Sequence, residues 1–76
     1  MPRYFFHHHV RGQKIEDPLG ELLPTDEAAC HRAAQRMPAD LTRSAVPSNN
    51  TYVATEVTNG NRTLFVVRGT VVVERR

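Results

Sequence analysis

The chain has 76 residues, 39% of them hydrophobic and 24% charged, with a net charge of +2 and a pI near 9.2. That length makes one domain, residues 1–76, whose folding removes only about 60% of the unfolded surface from water. Its single cysteine, Cys30, excludes an intrachain disulfide, and the small positive excess permits nucleic-acid binding without demanding it.

A core this small gains from a metal or from self-association when no disulfide is available, so an oligomer is expected, with a dimer favoured. No stretch is long and apolar enough to span a membrane. The start, Met1 to Phe6, lacks the pattern of an export signal, and one thiol suits a reducing compartment, so a cytoplasmic protein is expected.

Residues 3–10 (RYFFHHHV) are rich in aromatic and β-branched types and read as a strand. Alternation puts Tyr4, Phe6, His8 and Val10 on one face and Arg3, Phe5, His7 and His9 on the other. Arg11-Gly12-Gln13 supplies a turn, and Lys14-Ile15-Glu16 returns as a short second strand. Asp17-Pro18-Leu19-Gly20 is a β-turn sequence, with Asp, Pro and Gly each at a favoured position.

A helix follows. Thr25 is its N-cap, and Asp26 and Glu27 place negative charge in the first turn, where the helix dipole favours it. Cys30, Ala33, Ala34, Met37 and Leu41 recur at helical spacing and predict the buried face. Arg32, Arg36, Asp40 and Arg43 are then the solvated face, with Arg36 and Asp40 spaced to pair. Pro38 interrupts the pattern and predicts a kink, because it removes a backbone donor and crowds the carbonyl of Ala34. Residues 46–50 read as a loop.

Thr51–Thr58 and Arg62–Arg68 flank Asn59-Gly60-Asn61, and Asn-Gly is a leading hairpin dipeptide. A two-residue loop at either Asn59-Gly60 or Gly60-Asn61 puts Val53, Thr55 and Val57 on one face with Leu64 and Val66. Tyr52, Ala54, Phe65 and Val67 then share the other; a three-residue bulged loop alters this. Gly69 marks a bulge or bend, and residues 70–74 continue as strand. The expected fold is α+β: two β-hairpins in an antiparallel sheet with one Pro-kinked helix on one face, a two-layer ββαββ arrangement.

A sheet covered by one helix needs only one apolar face. Here both predicted faces carry large apolar groups, which makes Phe5, Tyr52, Phe65 and Val67 a candidate partner face. Arg62, Arg68, Arg75 and Arg76 hold the whole positive excess and, beside Tyr52 and Phe65, are candidate nucleic-acid contacts. Charged edge residues that block sheet-to-sheet aggregation account for them more simply.

His7-His8-His9 alternates across a strand, so two at most share a metal, and zinc usually wants four ligands. Cys30 and His31 are helical neighbours that project about 100° apart, so they make no nucleophile–base pair. No phosphate-cradling glycine loop is present. No catalytic residue, cofactor-binding residue or metal ligand is therefore assigned, and no cofactor is expected.

The start Met1-Pro2-Arg3-Tyr4-Phe5-Phe6-His7, with Asp17-x-x-Gly20-x-x-Leu23-Pro24-x-x-Glu27-Ala28-Ala29, resembles a family of short uncharacterised alphaproteobacterial proteins, a domain of unknown function. The likeness continues through Glu56-Val57-Thr58, Gly60 and the late valines, and so spans nearly the whole chain. Pro38 and the histidine run depart from the family's pattern. The resemblance implies a small bacterial protein and brings no activity with it. The order of a strand pair, Gly-x-x-Leu-Pro and an acidic helix start is also similar to small antitoxin-type domains that bind a partner toxin.

The expected function is a non-enzymatic binding or regulatory module, working through its sheet face or edge by self-association or with a protein partner. The alternative is an antitoxin-like nucleic-acid-binding regulator that uses the C-terminal arginines.

Overall fold

The structure is a computed structural model that describes residues 1–46, 49–74 and 76. In chain order it contains β1 (Arg3–Val10), β2 (Gln13–Ile15), β3 (Glu21–Leu22), α1 (Asp26–Ser44), β4 (Thr51–Thr58) and β5 (Thr63–Val71). All strand pairings are antiparallel, in the order β2-β1-β4-β5, and β3 lies beside the start of β1 on the same side as β2. The expected α+β fold, one helix over one antiparallel sheet, is the fold observed, with β3 as an added short strand.

Local chemistry explains most element ends. Arg11 and Gly12 have φ of 54° and 75°, which makes the two-residue turn whose twist suits a hairpin. Thr25 caps α1 by accepting from the Ala28 N–H at 3.0 Å. At the other hairpin the Asn59 N–H donates to the Arg62 carbonyl at 3.3 Å, so Gly60 and Asn61 form its tip. Gly60 has the positive φ, 94°, that such a tip requires.

α1 runs through Pro38 to Ser44, with Pro38 exposed on its outer side. Its buried residues are Ala29, Ala33, Met37 and Asp40. The expected stripe is thus rotated: Asp40 goes inward, while Cys30 and Leu41 are half-buried and Ala34 is exposed. Arg36 does not pair with Asp40 but reaches Glu21 on β3 at 2.9 Å, and Arg43 takes Asp40.

The core lies between α1 and one face of the sheet. Tyr4, Phe6, Leu23, Ala29, Ala33 and Val57 form its buried cluster, extended by Met37 and Val53. Tyr4 is 2% exposed, and its hydroxyl donates to Asp26 Oδ1 at 2.7 Å, tying β1 to the first turn of α1. That bond, then burial, then the charges of Asp26 and Glu27 push the phenol up to about 12.

The second hairpin corrects the expected faces. The register shifts by one residue between Thr58↔Thr63 and Val57↔Phe65. This β-bulge puts Phe65 and Val67 opposite Val57 and Thr55, on the helix side, where both pack against the core. A one-residue slip turns every later side chain over.

Gly69 is not a bend either, since β5 is continuous across it. A Cβ there would sit 2.8 Å from Leu41 Cδ1 and from Met37 Cγ and Sδ, so glycine lets the helix come down on the strand. Of the expected loop at 46–50, Pro47 and Ser48 lie outside the described residues. Val46 and Asn49 form an isolated bridge.

Candidate interaction surface

The face of the sheet away from α1 is formed by Phe5, His7 and His9 of β1, Tyr52, Ala54 and Glu56 of β4, and Val66, Arg68 and Thr70 of β5. It mixes charged and polar groups with Phe5, Tyr52, Ala54 and Val66, so the expected second apolar face is present only in part. Phe5 and Tyr52 of the candidate partner face do lie here. Phe65 and Val67 do not, because the bulge turns them under the helix.

Glu56 sits at the centre of this open face. His9 Nε2 lies 3.1 Å from it, Lys14 Nζ lies 3.8 Å away, and the Thr63 hydroxyl donates to it. The Thr63 hydroxyl first, then His9, outweigh partial burial and, with Lys14, hold this carboxyl below its ordinary 4.5. Phe5 stacks on His7, with ring centroids 6.4 Å apart and planes 15° apart.

The three histidines have three separate partners. His7 Nδ1 accepts from the Asp17 N–H at 3.0 Å, His8 Nδ1 lies 3.8 Å from Asp40 Oδ2, and His9 meets Glu56. Among the described residues, no three His, Cys, Asp or Glu side chains converge as a metal site. Cys30 is a half-buried free thiol on the flank of α1.

The basic residues do not assemble as one patch. Arg62 is beside the hairpin tip, Arg68 is on the open face of β5, and Arg76 pairs with Glu74 at 2.8 Å. Arg75 lies outside the described residues. Arg68 does share a concavity of about 600 Å³ with Tyr52, His9 and Arg11, and no carboxylate lines it. Tyr52 is 64% exposed. The Arg11 guanidinium donates to the Ser44 carbonyl at 2.8 Å, at the end of α1.

The two edges of the sheet differ in kind. On the β2/β3 side the edge is broken at Glu16–Gly20, between strands of three and two residues. Asp17 fills the gap: its carboxylate accepts from the N–H groups of Phe6 at 3.2 Å and of Leu19 and Gly20, both at 3.1 Å. Partial burial opposes ionisation of Asp17, but the three N–H donors and His7 outweigh it and lower the pKa.

On the β5 side, nine residues run unbroken with no strand beyond them among the described residues. This edge contains no proline and no lysine, and its one charge is Arg68. Sequence reasoning read the hairpin and took its arginines as edge-strand charges; the pairing of β4 with β1 makes β5 that edge.

No helix is long and apolar enough to cross a membrane among the described residues. A family model described as a domain of unknown function, DUF6894, matches residues 3–70. The chain belongs to that family. The match takes in all six elements of the DUF6894 fold described above except the last residue of β5. No curated protein and no solved structure matches the chain.

Proposed function

We propose that this DUF6894 chain is a small non-enzymatic binding module that works through the free β5 edge of its sheet, by self-association or with a protein partner. The observation that carries this reading is the contrast between the edges. Natural sheets blunt exposed edges with short strands, charges, prolines or bulges. The β2/β3 edge has such devices, whereas β5 offers nine residues with one charge and a single bulge near its start. Unpaired N–H and C=O groups on such an edge are a template for strand addition.

The test is the solution mass of the untagged protein by light scattering, from micromolar to near-millimolar concentration, alone and in extract of its own cells. A dimer, or a defined complex with another protein, is the expected result. A bare monomer in both settings removes the reading.

A second reading is an anionic, nucleic-acid-like ligand, favoured by the concavity shared by Tyr52, Arg68, His9 and Arg11. An exposed ring beside arginine can stack a base while the cation meets phosphate. Retention on single-stranded nucleic acid at low salt, lost in Arg68→Gln, is its expected mark.

A further inference from the structure

We infer that the partner is a second copy of this chain, seated antiparallel on β5 about a two-fold axis through Val67, so that two sheets become one. The inference rests on the interaction-module reading and names its partner.

Symmetry restricts the choices. A two-fold axis perpendicular to the sheet keeps each side chain on its own face, and residues opposite one another must share a face. The axis therefore passes through a residue rather than between two. Past the bulge β5 alternates regularly over Phe65–Val71; an axis at Val67 pairs Phe65–Gly69 of this run and one at Arg68 pairs all of it, so length alone does not choose Val67.

Charge decides for Val67. An axis at Arg68 sets two guanidinium groups directly opposite, which is unfavourable. An axis at Val67 sets Arg68 opposite the partner's Val66, which is 47% exposed. It also sets Phe65, half-buried on the helix side, opposite the partner's Gly69, over which the partner's Met37 and Leu41 lie.

The helix layer fits as well. α1 packs on both β4 and β5, and Leu41 and Met37 lie directly over Gly69. With strands spaced about 4.8 Å, the two symmetry-related helices would lie about 10 Å apart. That is a normal helix-packing distance.

The flank of α1 that would meet its mate carries one charge, Glu27, near its start. Arg32 and Arg36 turn toward Glu21 on the β3 side. At about 100° per residue, Cys30, Ala34 and Leu41 then fall on the β5 side. They are the helix positions expected in the core and left half-buried or exposed by a single chain. A second copy would cover them.

The test is a charge cycle on the dimerisation constant of the full chain, read by sedimentation equilibrium. Val66→Lys faces the partner's Arg68 twice and should weaken the dimer by about tenfold. It stands opposite Glu56 within its own sheet, so the fold should hold, as circular dichroism would check. Adding Arg68→Glu to Val66→Lys should restore the wild-type constant, because each lysine then faces a glutamate.

A wild-type dimer that ignores Val66→Lys overturns the β5 interface but leaves self-association standing. A dimer weakened by Val66→Lys and not restored by Arg68→Glu overturns the Val67 axis. A wild-type monomer at near-millimolar concentration overturns the inference together with self-association, and leaves only a different protein partner for the module reading.

Discussion

Asp17 and Gly20 form the turn that replaces a strand partner for the middle of β1. Gly20 has φ of 70°, and a Cβ there would lie 2.7 Å from the Tyr4 carbonyl oxygen and 2.9 Å from Arg3 Cγ. The first of these contacts is backbone and has no room to move. Gly20→Ala is expected to destabilise the fold by about 2 kcal/mol or more, from positive φ and the collision together. Urea denaturation would measure it, and an unchanged midpoint would mean that the loop refolds at no cost.

Asp17 and Glu56 both ionise at lower pH in the folded chain than at their ordinary values of 3.8 and 4.5. The unfolded chain therefore binds protons first as pH falls. The stability these groups add is complete above those ordinary values and is lost as pH drops through the lower folded ones. Asp17→Asn should lower stability at neutral pH and flatten its fall below about pH 4. Urea midpoints across that range are the measurement, and a parallel curve would show that the Asp17 charge plays no part.

Two elements show what local sequence determines and where it stops. The start of α1 was legible because Thr25, Asp26 and Glu27 act within one turn. The tip of the second hairpin was legible because Gly60 must take a positive φ. The bulge near Leu64 was not, because β5 is apolar at both parities: Leu64 and Val66 suit a core face as well as Phe65 and Val67 do. Nothing in such a pattern opposes a one-residue slip.

Asp40 was misread for a similar reason. Helical spacing alone allows either Asp40 or Ala34 inside, and the height of the helix over Gly69 decides it. Of the candidate face, Phe5 and Tyr52 were legible from alternation within their own strands. The arginines of the last strand suggested an edge, but the full strand order was not legible, since it is a long-range property.

Pro38 in α1 has its own test. Pro38→Ala restores an N–H and relieves the crowding at the Ala34 carbonyl, on an exposed side of the helix. It should raise stability by about 1–2 kcal/mol. Thermal denaturation would show this as a higher midpoint; an equal or lower midpoint would mean that α1 has already adapted to the ring.

At the scale of the molecule, the buried hydrophobic core holds Tyr4 and Phe6 as its only aromatic groups among the described residues. Three threonines, Thr51, Thr55 and Thr58, and Asp40 occupy other buried positions. Such an interior leaves little stability in reserve, and anything that binds only the folded chain adds to it by mass action. If two copies share a sheet, the unfolding midpoint should rise with protein concentration. Calorimetry at two concentrations tests this, and a midpoint independent of concentration would speak for a chain that stands alone.

The Asp17 turn also sets how far such an assembly can go. A sheet with two adhesive margins polymerises, because every addition exposes a fresh margin like the one it covered. Here the β2/β3 margin is cut into strands of three and two residues, with a carboxylate already holding the Phe6 N–H. Joining two copies through β5 would use up the long rim of each, the one unbroken edge among the described residues. The product would have two broken ends, so such an association would stop at two, limited by a five-residue turn at the far side of the sheet.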